Sequence, residues 1–142
     1  MTAEPDPPET IVFDAEPLIA YFCDEPGSET VETYLDAVEG VANGYVSAVT
    51  LTEIHYIVRA IDSERRADTV IDVLAESGLR RVDTAETWAV AADFKFRYPL
   101  ALGDAFALGT AAHVDGTLLV GADSDYDDIA DVSIVRFRSD PV

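Results

Sequence analysis

The chain has 142 residues, 49% hydrophobic and 9% aromatic, enough apolar matter for one domain-sized core and too much for a chain disordered throughout. Against 9 Lys and Arg stand 28 Asp and Glu, a formal net charge of -19, which excludes general attraction to nucleic-acid phosphates and leaves only local, cation-assisted chemistry on them. Cys23 is the only cysteine, which excludes an intrachain disulfide and a cysteine zinc knuckle and predicts a reducing, cytoplasmic setting.

Met1 to Thr10 carries three prolines and three acids but neither the basic nor the apolar region of a signal peptide, and no later apolar run reaches the roughly 18 residues of a membrane span. A flexible tail over residues 1–10 is therefore expected, then one domain over residues 11–138, away from any membrane. Ile11-Val12-Phe13 reads as a buried strand, and Pro17 is placed to open a helix through Phe22. Gly27-Ser28 can cap a helix from about Glu29 to Val41, with Val31, Tyr34, Leu35 and Val38 on one face, which Asn43-Gly44 then breaks. Tyr45 to Val49 is the next strand, and Thr50-Leu51-Thr52-Glu53 has the capping-box form that starts a helix through Ile54, Ile57, Val58 and Ile61.

Ser63 opens another helix ending at Gly78, followed by a Leu79 to Val82 strand. Thr84 to about Tyr98 is helical until Pro99, Gly103 to Val114 is a largely apolar helix, and Asp115-Gly116 turns the chain into a Thr117 to Val120 strand. Val132 to Phe137 is the last strand. This alternation predicts an α/β/α sandwich of three layers around a mainly parallel central sheet.

In such a sandwich the strand C-termini and the helix N-termini that follow them share one edge, where ligands bind. Asp14 follows the first strand, Glu53 lies in the first turn after the second, Asp104 in the first turn of its helix, and Asp123 after the fourth strand. About ten helical residues beyond Asp104 travel roughly 15 Å away and about five strand residues return roughly 16 Å, so Asp123 comes back beside Asp104. Singly, Glu53 reads as the partner of Thr50 in the capping box, Asp104 as a dipole-favoured charge and Asp123 as a turn residue. Together they repel in a low-dielectric cleft, and no lysine or arginine in these segments is placed to neutralise them. Oxygen-only ligands of this kind suit Mg²⁺ or Mn²⁺.

Ile11-Val12-Phe13-Asp14, Thr52-Glu53, Leu102-Gly103-Asp104-Ala105 with Ala107 and Thr110-Ala111, and Leu118 through Tyr126 together make the chain resemble the PIN-domain ribonucleases, specifically the VapC-like toxins of toxin–antitoxin pairs. The resemblance covers nearly the whole chain. It implies Mg²⁺-dependent hydrolysis of RNA phosphodiesters, an acidic quartet at Asp14, Glu53, Asp104 and Asp123 with Asp125 at the place of an additional acid, a VapB-like antitoxin and a homodimer. There the cation would activate water, hold the scissile phosphate and stabilise the leaving oxygen. The apolar residues Leu18, Ile19 and Phe22 supply a face for the dimer. Two positions depart from the family pattern: Gly121 stands where Thr or Ser is usual, and Glu16 where a small hydroxyl or amide residue is common. A catalytically silent PIN-like module that binds RNA or protein is the reading of a different class, and the intact quartet favours the enzyme.

The single lysine, Lys95, and the many short aspartates point to a salt-loving cytoplasm, that of a haloarchaeon, where charge is screened over about 3 Å at 1 M salt. Asp123 to Ile134 begins like a calcium loop but lacks its glycine and final glutamate, with Asp128 and Ile134 in those places. His55 and His113 lack metal-ligand partners four residues on, Cys23 reads as a core residue, and Trp88, Phe94, Phe96 and Tyr98 read as packing residues. Arg59, Arg65, Arg66, Arg80, Arg81 and Arg97 read mostly as solvated. A haloacid-dehalogenase-type phosphatase would need Asp in place of Glu16 and a better lysine than Lys95.

Overall fold

The structure, a computed structural model, describes residues 6–140. The chain order is β1 (Thr10–Phe13), α1 (Ala15–Phe22), α2 (Ser28–Gly40), β2 (Asn43–Ser47), α3 (Ala48–Ile61), α4 (Glu64–Glu76), β3 (Arg80–Val82), α5 (Thr84–Arg97), α6 (Leu102–Val114), β4 (Thr117–Val120), a 3-10 turn (Ser124–Tyr126) and β5 (Ile134–Arg136). The expected tail falls in part on residues 1–5, outside the described residues; Thr10 is already in β1, and the Glu9 carbonyl accepts from the Asn43 N–H at 2.8 Å.

All five strands are parallel, in the order β3-β2-β1-β4-β5. In β1 the side chains alternate between the two faces, as the two-residue period requires. Ile11 and Phe13 pack with Leu119 under α1 to α4, while Val12 packs with Leu118 and Val120 under α5 and α6. The expected three-layer α/β/α sandwich is thus present. The chain leaves β1 toward β2 and β3 on one side and returns to β4 and β5 on the other, so the order reverses at β1/β4. The crevice outside the strand C-termini opens at that reversal.

Local starts differ from expectation where one capping residue outcompetes another. Helix α1 begins at Ala15, before Pro17, because the Asp14 Oδ1 accepts from the Ala15 N–H at 2.8 Å. Helix α3 begins at Ala48: Ser47, the last residue of β2, caps it by accepting from the Val49 N–H at 3.2 Å. The Thr50–Glu53 capping box therefore does not form; Thr50 is buried, its hydroxyl without a partner, and Glu53 moves into the second turn. Helix α2 ends at Gly40, and Asn43-Gly44 opens β2 instead of breaking the helix. A Cβ at Gly44 would stand 2.6 Å from Val38 Cγ2 and 2.7 Å from Leu79 Cδ2, so the close approach of α2 to the sheet requires glycine there.

Several side chains expected in the core are elsewhere. Cys23 lies one residue past α1 and is exposed. Phe94 is buried, whereas Trp88 and Phe96 on the same helix are 63% and 90% exposed. Conversely, Leu18 is fully buried and Ile19 and Phe22 pack against the core, so the sandwich itself uses the face expected to form a dimer. No described helix is long and apolar enough to cross a membrane.

Candidate metal centre

Four elements deliver acids to the crevice. Asp14 caps α1 at the end of the central strand, and its own N–H donates to the Leu119 carbonyl at 3.1 Å, which ties it to β4. Glu53 comes from α3, Asp104 from the first turn of α6, and Asp123 from the N-cap of the 3-10 turn after β4. All four line one cleft of about 320 Å³, together with Glu16, Glu25, Ile19, Ile57 and Gly121. Asp125 stands at its rim: ligand atoms of Asp104, Asp123 and Asp125 all lie within 4.8 Å of one another. The Asp123 Oδ1 accepts from the Asp125 N–H at 2.9 Å, which orients the pair.

The electrostatics are those of crowded acids. Burial, then the charge of Asp104, pushes Asp14 up to about 7, against the hydrogen bonds it accepts from Tyr126 and from the Ala15 N–H. Burial and Asp104 raise Glu53, and burial with Asp123 and Asp125 raises Asp104. Among the described residues no lysine or arginine forms an ion pair with Asp14, Glu53, Asp104 or Asp123. The nearest cations arrive from β5 and the segment after it. Arg136 donates to the Gly121 carbonyl and to the Asp123 carbonyl at 2.6 and 3.0 Å and pairs with Asp127, while Arg138 pairs with Glu25 at 3.1 Å. Neither arginine is singled out by the sequence, because nothing local ties the last strand to the crevice.

The donor set fits a hard divalent cation on two observations. Glu53 Oε1 is buried with no hydrogen-bond partner, a costly state for a carboxylate oxygen unless a ligand completes it. Gly103 makes room for it: a Cβ there would lie 2.5 Å from Glu53 Cδ, so only glycine lets this carboxylate rest against the start of α6. A cradle of oxygen donors with a partnerless member is the environment in which Mg²⁺ or Mn²⁺ binds.

Sequence reasoning gave Tyr126 no role of its own: it closes the Leu118 to Tyr126 segment, and nothing local ties its hydroxyl to Asp14 or Asp104. Its ring is buried among the α5/α6 face, and its hydroxyl lies 2.8 Å from Asp14 Oδ2 and 3.0 Å from Asp104 Oδ1. One hydroxyl proton serves only one acceptor, so the hydroxyl donates to one carboxylate while the other contact needs a carboxyl proton donated to the tyrosine oxygen. Burial and the two acids hold the phenol protonated, well above its ordinary range. Tyr126→Phe keeps the ring and deletes the bridge. It is expected to cost the metal-free protein about 1–3 kcal/mol, with the gap to wild type widening in Mn²⁺ because the acids lose the contact that orders them, as denaturant melts with and without the ion will read.

The sequence profile of the PIN domain matches residues 11–132. No curated protein sequence matches the chain. Among solved structures, VapBC2 from Rickettsia felis bound to a promoter DNA fragment is similar at a TM-score of 0.69 and 13% identity, over 89% of this chain and 98% of that one. VapC20 from Mycobacterium tuberculosis, described as a sarcin-ricin-loop-cleaving toxin, is similar at 0.69 and 13%, over 86% and 98%. A toxin–antitoxin complex from Klebsiella pneumoniae is similar at 0.64 and 20%, over 88% and 95%. At these identities the likeness is one of fold.

Proposed function

The chain belongs to the PIN domain family, and on that premise we propose that it is a metal-dependent endoribonuclease, the VapC-like toxin of a toxin–antitoxin pair. The observation that carries the reading is the cleft itself: Asp14, Glu53, Asp104 and Asp123 converge there from four elements, with Glu53 Oε1 buried and partnerless. These four carboxylates would hold the ion, Mg²⁺ or Mn²⁺, with Asp125 as a further ligand. When bound, such a cation supplies charge neutralisation for a scissile phosphate and acidity for a hydrolytic water. The protein's part is to present the acids preorganised: Asp14 is locked by the Ala15 and Tyr126 contacts, and Asp104 by Tyr126. No side chain is needed as a covalent nucleophile. With a net charge of -19 the substrate is held by the local ion instead of by a basic surface.

The test is incubation of purified protein with structured RNAs in molar salt, with Mg²⁺, with Mn²⁺ and with chelator. Cleavage only with the ion is the expected result; a folded protein that cleaves nothing under any of these conditions is a binding module instead. The toxin–antitoxin complexes among the structural neighbours support a VapB-like antitoxin as partner, checked by co-purification with the product of an adjacent small gene. A homodimer belongs to the same reading, and light scattering in molar salt that returns only monomer removes it. On this reading residues 11–138 act as one domain.

The acid excess supports a salt-adapted protein of a haloarchaeal cytoplasm. Its melting temperature is expected to rise between about 0.1 M and about 2 M KCl as screening relieves self-repulsion. An unchanged melting temperature would remove the halophile reading and leave the nuclease reading intact.

A further inference from the structure

Glu16 and Gly121, the two departures from the family pattern, meet in space. Glu16 sits in the first turn of α1, two residues after Asp14, and its Oε2 accepts from the Ala122 N–H at 2.9 Å. Ala122 immediately precedes Asp123. A Cβ built on Gly121 would coincide with that Oε2 and stand 2.9 Å from Glu16 Cγ, so the glutamate occupies the space that any side chain at 121 would take. The carboxylate is steadied from outside by Arg138, whose Nη2 lies 3.9 Å from Glu16 Oε1 and 3.1 Å from Glu25 Oε1. Arg138 is itself held by the Pro26 carbonyl at 3.0 Å and by stacking on Phe137. Glu16 therefore links the helix that Asp14 caps to the turn that presents Asp123, across the mouth of the crevice.

We propose that Glu16 is a positioning residue of the metal centre, whose carboxylate, fitted against the bare backbone of Gly121, sets the place of Asp123 through the Ala122 N–H. The role rests on the crevice being the metal-dependent centre proposed above. It needs an acceptor oxygen at the reach of a glutamate and has no need of the negative charge. That separates it from two other uses of a carboxylate here, as a further ligand or as a source of field. It also explains why a glutamate is tolerated beside four other acids: one oxygen accepts from a backbone donor and the other faces an arginine at 3.9 Å.

Two variants divide reach from charge. Glu16→Gln keeps an acceptor oxygen at the same distance, while Glu16→Asp keeps the charge but withdraws the oxygen by one methylene. Mn²⁺ titration by calorimetry, in molar salt, is expected to give near wild-type affinity for Glu16→Gln and a loss of about 10- to 100-fold for Glu16→Asp, the range for deleting a group that orients a ligand. Gly121→Ser should weaken Mn²⁺ as Glu16→Asp does, since its Cβ displaces the carboxylate. A second reading needs no metal: Gly121→Ser should lower the melting temperature in the wild-type background and much less in Glu16→Asp, where the space is already vacated. Weak binding by Glu16→Gln, or wild-type binding by Glu16→Asp, overturns the positioning role, as does an equal melting penalty for Gly121→Ser in both backgrounds. Wild-type protein that takes up no Mn²⁺ overturns the metal-centre reading, and the role with it.

Discussion

Asp104→Asn is expected to abolish RNA cleavage, by on the order of 10³-fold or more, while leaving the protein folded. The side chain lies in the first turn of α6, close to Asp123 and Asp125, and shares the Tyr126 hydroxyl with Asp14. Asparagine preserves its size and an oxygen for Tyr126 but removes one charge from the ion's ligands, and several kcal/mol of transition-state stabilisation by a cation corresponds to a rate loss of that order. Were Asp104 only a helix-terminal charge, the substitution would cost a few tenths to about 1 kcal/mol of stability and leave cleavage intact. The ligand reading predicts the opposite for the metal-free protein: burial and neighbouring acids already disfavour its charge, so the asparagine variant should melt no lower than wild type without metal and gain less when Mn²⁺ is added. Paired calorimetric titration and RNA cleavage decide it. Equal metal affinity and equal cleavage in the folded variant would remove Asp104 from the centre and with it most of the case for the quartet.

Metal-free protein is expected to lose stability as pH rises from about 4 to about 7, with Asp14 the main cause and the raised Glu53 and Asp104 acting in the same direction. The Asp14 carboxyl goes from 3.8 when unfolded to about 7 in the fold, so between these values the folded chain binds a proton that the unfolded chain does not. The stabilisation is fully present below the unfolded value and is lost as pH climbs through the folded one. At about 1.36 kcal/mol per pKa unit, the Asp14 part of the change is on the order of 4 kcal/mol, a large share of a domain's net stability. Denaturant melts in chelator and molar salt will show the slope, and Asp14→Asn should flatten it by about one proton. The same proton must leave before a cation can bind, so Mn²⁺ affinity should fall about tenfold per pH unit below about 7 and level off above it. A pH-independent affinity across that window would exclude Asp14 as a ligand.

The placement of these acids was legible in the sequence because it depends on local signals repeated along the chain. Alternating apolar strands and three-to-four-residue helix periods identify each strand-to-helix junction, and a parallel sheet sends every such junction to one edge. Asp14, Glu53, Asp104 and Asp123 were therefore legible as neighbours without any knowledge of strand order. Details of the junctions were less secure. Ser47 and Thr50 both offer caps to α3, and which one acts depends on where β2 stops pairing with β3, a tertiary fact.

The α/β/α sandwich, the shared edge and the acids that line it follow from periodicities written along the chain. The contacts that hold those acids arise only in the folded chain: the Tyr126 hydroxyl between Asp14 and Asp104, the Glu16 carboxylate seated over Gly121, and Arg136 and Arg138 arriving from the last strand and beyond it. These contacts join residues far apart in the chain, and no periodicity encodes them. A tyrosine, a glutamate or a glycine is an ordinary turn or helix residue until the close packing of the folded chain brings another element within hydrogen-bond reach of it.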